Sequence, residues 1–255
     1  MKERLFKFKE FSVKHARSAM KVGVDGVLIG AWATSNGEHI LDVGTGCGLI
    51  ALMLAQRNSQ ALIDGIDIDP NSVEEAKENV EMSPWNDRIR IDRISFDEVC
   101  RSKMICRNKN EEGDVNNENL YDLIVSNPPF YDSGVKDPST PRERSRHQGD
   151  LSPESLIVNS CRLLRPKGRL ALIAPAEKGE ALFQCARSAN MIPHRVCYVR
   201  DHSTSPEKRI MIEMVYCQDM EAPITFQEEH LVMYELTGEP TLRYRTLCKP
   251  FYLRF

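Results

Sequence analysis

The chain reads as an α/β fold, a doubly wound and mostly parallel sheet with an antiparallel edge strand. Three observations predict it. From residue 39 onward, apolar runs of strand length alternate with amphipathic runs of helix length, the pattern of parallel strands joined by crossover helices. A glycine-rich turn, Gly44-Thr45-Gly46-Cys47-Gly48, follows the first apolar run and opens the first helix. Two late apolar runs follow one another with no helical run between them, which suits an antiparallel pair at a sheet edge.

The elements follow in order. HILDV (39–43) is a strand and LIALMLAQR (49–57) a helix with apolar spacing. ALIDGIDID (61–69) is the second strand, and PNSVEEAKENVEM (70–82) a helix whose Pro70 suits its first turn. RIRIDRI (88–94) alternates like a strand, and YDLIVSN (121–127) is a buried one. SPESLIVNSCRLLRPKG (152–168) is a helix ended by Pro166 and Gly168. RLALIAP (169–175) is a strand, EKGEALFQCARSAN (177–190) a helix, and HRVCYVRD (194–201) and KRIMIEMVYCQ (208–218) are the late strands, which brings the expected sheet to seven strands. Residues 101–118 are polar and charge-balanced, with nothing to drive burial, and read as a mobile surface insertion.

The chain has 255 residues, 41% apolar and 28% charged, which fits one α/β domain with modest additions. One domain is expected over 1–255, with a basic N-terminal extension (1–38) covering the site and a basic, aromatic C-terminal segment (241–255). The opening MKERLFKFKEF has no secretory h-region, and no apolar stretch approaches the length of a membrane span. A soluble cytoplasmic protein, monomer or weak dimer, is expected.

Of eight cysteines, Cys47, Cys161, Cys185, Cys197 and Cys217 sit in apolar periodic segments, where cysteine acts as a small hydrophobe. Cys100 and Cys106 are separated by five residues, and no CxxC occurs. Reduced thiols and no metal site are the expectation. Net charge is −3, distributed unevenly: +5 over 1–21, +2 over 136–147 and +4 over 241–255, leaving −14 for the remainder. A fold that gathers these segments makes a basic surface on an acidic body.

Asp42 precedes the first glycine of the turn by two residues, and Gly44, Gly46 and Gly48 are spaced GxGxG rather than the GxGxxG of dinucleotide enzymes. Asp67, at the end of the second strand, is placed to accept both ribose hydroxyl protons, while Asp69 lies past the strand just before Pro70. This set resembles the loop of class I S-adenosylmethionine methyltransferases, whose Rossmann-like fold and cofactor it implies. In that family an acid after the third strand often contacts the cofactor's adenine. Here Ser95 occupies the place, and Ser95, Phe96 or Asp97 is the candidate.

Asn127-Pro128-Pro129-Phe130 ends the fourth strand, at the sheet edge where ligands bind. Prolines remove N–H donors and leave acceptors. The Asn127 side-chain oxygen and the Pro128 carbonyl can both accept protons from one planar NH2 group. They draw it toward tetrahedral geometry, so that its lone pair attacks the methyl sulfonium without a strong base. Phe130 offers a stacking face. The motif alone does not separate adenine, cytosine, guanine and glutamine amide.

Three further stretches narrow the target. His15 through Trp32 (HARSAMKVGVDGVLIGAW), the basic loop Pro141-Arg142-Glu143-Arg144-Ser145-Arg146 and the terminal YRTLCKPFYLRF resemble the tRNA(Val) adenine N6-methyltransferase family, from about residue 5 to the end apart from 101–118. That resemblance implies methylation of adenine 37, beside the anticodon. It also implies that Lys21, Gly23, Asp25 and Gly26 lie near the cofactor, where the residues alone show a glycine-rich loop entering a helix. Release-factor glutamine methyltransferases also use an NPP-aromatic motif, but only 38 residues precede the first strand here, too few for their separate helical domain. Arg142, Arg144 and Arg146 suit RNA phosphates, as do Arg243, Arg245 and Lys249. Tyr244, Phe251, Tyr252 and Phe255 interleave with these last cations, a pattern suited to base stacking or, equally, to packing on the domain. Trp32 reads as core.

Overall fold

A computed structural model describes residues 5–18, 21–107, 120–129, 151–217 and 225–255. A short hairpin, β1 (Leu5–Lys7) and β2 (Ser12–Lys14), precedes helix α1 (Val24–Trp32). Then come β3 (His39–Val43), α2 (Leu49–Arg57), β4 (Leu62–Asp67), α3 (Pro70–Glu81), β5 (Ile89–Arg93), α4 (Phe96–Arg107) and β6 (Tyr121–Ser126). The later half holds α5 (Pro153–Ser160), β7 (Leu164–Pro175), α6 (Gly179–Ser188), β8 (Met191–Arg200), β9 (Arg209–Tyr216), β10 (Gln227–Val232) and α7 (Leu242–Cys248).

Among the described residues the main sheet has the order β10-β8-β9-β7-β6-β3-β4-β5. All neighbours are parallel except across β9, which runs antiparallel to both β7 and β8. The α/β, doubly wound, mostly parallel class therefore holds, with two corrections. The antiparallel strand lies inside the sheet, not at its edge, and the sheet has eight strands rather than seven. The eighth is β10, whose QEEHLV carries three polar residues in its middle and only Leu231 fully buried. An edge strand can carry such a sequence because one of its sides stays wet.

Period-2 alternation sends side chains to two cores. Ile40, Leu123, Val125, Ala171 and Ile173 face the layer of α1, α2, α3 and α7. Leu41, Ile124, Leu170, Leu172 and Ile212 face α4, α5 and α6. Helix α1 is buried from Gly26 through Trp32, as an all-apolar helix must be. Its last carbonyls are capped by Arg57, from Nη1 to Gly30 O (2.9 Å) and Ala33 O (2.6 Å), and by Arg195 Nη1 to Trp32 O (3.0 Å). Trp32 is core as expected, with the Arg195 guanidinium 4.2 Å above its ring.

Two element boundaries differ most from the sequence reading. The helix expected over 152–168 ends at Ser160, and Leu164 already pairs with Tyr121 in β7. Leu163 takes the Tyr121 N–H on its carbonyl (2.9 Å), and Leu163 and Leu164 are fully buried, so sheet pairing ends the helix before Pro166 is reached. At the other boundary, α4 continues to Arg107 into the stretch read as an insertion; its remainder, 108–118, lies outside the described residues.

The C-terminal aromatics pack inward. Tyr244 and Phe251 are buried. Tyr252 lies 6.0 Å from Phe8 and 5.1 Å from Phe255, and Tyr244 lies 5.4 Å from Phe255. Of the two readings of these four rings, packing on the domain is the one the structure shows, and Tyr252 clasps the β1–β2 hairpin at Phe6 and Phe8. Lys9 Nζ closes the clasp by donating to Lys249 O (2.6 Å) and Phe255 O (2.9 Å).

Candidate active site

The chain leaves β3 toward β4 on one side and returns through β6 on the other, so a crevice opens at the C-terminal ends of β3 and β6. The register pairs Val43 with Ser126, and Ser126 Oγ donates to Val43 O (2.7 Å). One residue further on each strand stand Gly44 and Asn127. The glycine loop and the Asn127-Pro128-Pro129 turn are thus adjacent.

Gly44, Gly46 and Gly48 all have positive φ (70°, 57° and 81°), so side chains at these alternate positions would be strained. The Gly44 and Thr45 amides both donate to Ile66 O at 2.9 Å, and Gly46 N–H donates to Asp67 Oδ2 at 2.9 Å. Beneath the loop, Asp42 is fully buried. Its Oδ2 accepts from Thr45 Oγ1 (2.6 Å) and Ala51 N–H (3.1 Å), while Oδ1 has no hydrogen-bond partner among the described residues. Burial pushes its carboxyl up to about 7 against those two bonds.

Asp67 is half-buried at the end of β4, its Oδ1 held by Asp69 N–H (2.9 Å). Burial raises its pKa above the ordinary carboxylate range. A carboxylate has about four lone-pair sites, so acceptor capacity remains. Asp69 is instead the N-cap of α3, accepting from Ser72 N–H (2.9 Å) and Ser72 Oγ (2.7 Å).

Ser95 forms a capping box with Glu98. Its Oγ donates to Glu98 Oε2 (2.6 Å) and accepts from Glu98 N–H (3.2 Å), while Ser95 N–H donates to Glu98 Oε2 (2.9 Å). Its side chain is committed to starting α4. Phe96 is buried as the first residue of that helix, where a backbone N–H has no intrahelical acceptor. Asp97 is exposed, and its Oδ1 accepts from Asn159 Nδ2 (3.4 Å).

Asn127 is half-buried, Pro128 buried and Pro129 half-buried. Phe130, Arg142, Arg144 and Arg146 lie outside the described residues. Their described flanks, Pro129 and Leu151, both stand at the crevice: Leu151 Cδ2 is 3.5 Å from where a Gly44 Cβ would sit. The first turn of α1 abuts the first turn of α2, since a Cβ on Gly26 would lie 3.1 Å from Leu49 Cδ2. Lys21 is exposed just ahead of it.

The remaining candidate cations are on α7 and just beyond it. Helix α7 starts beside the end of β10, with Thr241 Oγ1 donating to Val232 O (2.6 Å), and runs back toward Pro250, whose carbonyl accepts from Gln56 near the end of α2. Arg243 is paired with Glu229 (2.7 Å), Arg245 donates to Pro240 O (3.2 Å), and Lys249 sits at the end remote from the crevice. A shallow cavity lined by Asp122, Arg165, Lys167 and Arg169 lies over the opposite, N-terminal ends of β3 and β6.

Two contributors went unread in the sequence, Glu75 and Asn79 of α3. Glu75 accepts from the amides of Ala16 (2.7 Å), Arg17 (2.9 Å) and Ser18 (2.8 Å). Asn79 contacts both Lys14 and Cys47 of the glycine loop. Their i, i+4 spacing with buried Ala76 between them is the one available signal. Among the described residues no cluster of three or more His, Cys, Asp or Glu could hold a metal, and no helix is long and apolar enough to cross a membrane.

The family described as Methyltransferase small domain matches residues 23–183. The chain is 40% identical to a tRNA1(Val) (adenine(37)-N6)-methyltransferase of Parabacteroides distasonis, covering 98% of each chain. Identity is 38% to the protein of that name from Christiangramia forsetii, covering 100% of both, and 38% to that of Trichodesmium erythraeum, covering 98% of both. A crystal structure from Agrobacterium tumefaciens described as a predicted O-methyltransferase superposes with a TM-score of 0.63 at 15% identity, covering 89% of this chain and 96% of that one, a likeness of fold.

Proposed function

Because the chain belongs to the tRNA1(Val) (adenine(37)-N6)-methyltransferase family, we propose that it methylates N6 of adenine 37 in tRNA1(Val), using S-adenosylmethionine. The observation that carries the assignment is the Val43–Ser126 register, which sets an amine-recognising Asn127-Pro128-Pro129 turn against the glycine loop. S-adenosylmethionine, when bound, supplies an electrophilic methyl group on a sulfonium.

The residues present fit that cofactor. The left-handed loop brings backbone close to a ligand, Asp67 keeps acceptor capacity for ribose hydroxyls, and the orphaned Asp42 Oδ1 calls for a donor, met by the methionyl ammonium or a bridging water. With the Ser95 side chain committed to its capping box, the Phe96 amide is the group offered to the cofactor's adenine. The Asn127 side-chain oxygen and the Pro128 carbonyl accept the two protons of the target N6, fixing its lone pair toward the methyl donor. Phe130 stacks on the base. Flipping an anticodon-loop adenine that is already partly unstacked costs about a few kcal/mol. Lys21 and Gly26 border the cofactor. Arg142, Arg144 and Arg146, whose flanks meet at the crevice, contact RNA phosphates in preference to Arg243, Arg245 and Lys249. The enzyme acts in the cytoplasm as one domain over 1–255, monomeric or weakly dimeric and without a metal.

The test is methyl transfer from labelled S-adenosylmethionine to unmodified tRNA1(Val), followed by nucleoside analysis. Label in N6-methyladenosine at position 37 is expected. Cofactor binding with no label in tRNA, but label in a glutamine-containing protein, overturns the assignment.

A further inference from the structure

Helix α3 stands between the N-terminal segment and the glycine loop, and one of its residues holds both. Asn79 is fully buried. Its Oδ1 accepts from Lys14 N–H (2.8 Å), and its Nδ2 donates to Lys14 O (2.8 Å) and to Cys47 O (2.8 Å). The carboxamide thus reads both backbone groups of Lys14 as a neighbouring strand would, and spends its second N–H on the loop.

The Cys47 carbonyl belongs to the Cys47–Gly48 peptide plane. The other end of that plane, Gly48 N–H, donates to Thr45 O (2.9 Å). One hinge of the plane is left-handed Gly48, and glycine itself opposes a peptide flip only weakly. The orientation of this plane is set by Asn79 from outside the loop at one end and by Thr45 within the loop at the other. Ala76 adds contact from the same helix, its Cβ 3.4 Å from where a Gly48 Cβ would lie.

One turn earlier on α3, Glu75 fixes the segment that continues from Lys14. It is almost wholly buried, and its two oxygens take the three successive amides of residues 16–18. Burial, the largest influence, raises its pKa, and the amides of Arg17, Ser18 and Ala16 with the Ser18 hydroxyl outweigh it, so the carboxylate stays charged well into acid. Beyond this clamp the chain leads to Gly23, the N-cap of α1, whose first turn packs on that of α2.

We propose that Asn79 is a positioning residue for the cofactor: seated by the N-terminal strap that Glu75 clamps, it locks the Cys47–Gly48 peptide in the orientation the methyl donor requires. This rests on the assignment of the glycine loop as the S-adenosylmethionine site. The strap's seating and the loop's shape are then one equilibrium. A buried donor lost here costs about 1–3 kcal/mol, about tenfold in affinity per 1.4 kcal/mol.

The experiment titrates S-adenosylmethionine into the full chain by calorimetry, with thermal unfolding and steady-state kinetics alongside. Wild type must first bind; failure there overturns the cofactor assignment rather than this proposal. Asn79→Asp keeps size and the acceptor to Lys14 but removes both donors. It is expected to weaken the cofactor Kd and KM by about tenfold or more, with kcat within about twofold and KM for tRNA unmoved. A lowered melting temperature with unchanged Kd overturns the proposal, as does a fall confined to kcat. Should Asn79→Asp not fold, Glu75→Gln decides: a Kd weakened about threefold to fivefold, as half its clamp is lost, supports the coupling, and an unchanged Kd sinks it.

Discussion

Arg209, the first residue of β9, is ion-paired with Asp25 in the first turn of α1, across 184 residues of sequence. The same guanidinium reaches Asp201 at 3.4 Å, and Asp201 also pairs with Lys208. A short charge network therefore ties the β8–β9 turn to the helix start that faces the glycine loop. Both members of the Arg209–Asp25 pair are partly exposed, so its effect on stability is small, about 0–1 kcal/mol.

If the glycine loop holds the cofactor as proposed, the pair's effect is expected there. Arg209→Gln and Asp25→Asn are each expected to weaken S-adenosylmethionine binding by about twofold to fivefold, and the double variant no further than the worse single. Strict additivity in the calorimetric double-mutant cycle shows the two residues act separately.

The roles proposed for Asn127 and Asp67 separate chemistry from binding. Asn127→Ala is expected to lower kcat by about 100-fold or more, the scale of one lost positioned polar group, with the cofactor Kd within about twofold. Asp67→Ala reverses the pattern, weakening the Kd first. Loss of cofactor binding in Asn127→Ala means its carboxamide serves the cofactor instead of the target amine.

Asp42 makes stability depend on pH. Its folded pKa, about 7, lies above the ordinary carboxyl value of 3.8. The folded state thus holds a proton that the unfolded state has lost, and this contribution is fully present below about pH 4 and lost as pH rises to about 7. The melting temperature of Asp42→Asn, relative to wild type, is expected to climb between pH 5 and 7 and then level. A flat difference across that window shows that Asp42 titrates in its ordinary range.

The aromatic clasp is structural. Phe251→Ala should destabilise the fold by about 3–5 kcal/mol, the usual cost of emptying a buried phenylalanine site. At temperatures where the variant stays folded, its kcat/KM for tRNA should match wild type. A selective rise in KM for tRNA would instead put the ring on RNA.

What could be read from the sequence is what leaves a local mark. Left-handed turns demand glycine, so Gly44, Gly46 and Gly48 show as a spacing, and the terminal prolines of β6 show as a strand end with acceptors and no donors. Apolar runs marked the inner strands, and alternation marked β5 at one edge. β10 left no such mark because Glu228, Glu229 and His230 belong to an edge. Ser95-x-x-Glu98 is a capping box visible in the letters, yet Ser95 drew attention by its place after β5 instead. Glu75 and Asn79 are polar letters in an amphipathic helix, and nothing local says that residues some 60 positions earlier cover them. Tyr244 and Phe251 interleave with arginines, and interleaving alone does not say which side faces in.

The clasp between Lys9 and the backbone at Lys249 and Phe255 joins positions 240 and 246 apart in sequence. A ribosome makes the hairpin first and its aromatic partners last. Residues 5–14 must therefore wait for those aromatic partners through nearly the whole of translation, held meanwhile by Gln56, Asn79 and Trp85. Lys14 is the end of that hairpin, and it is where Asn79 takes hold. Closure of the clasp is thus a late event in the life of the nascent chain, and synthesis cut short before α7 leaves the hairpin without its aromatic cover.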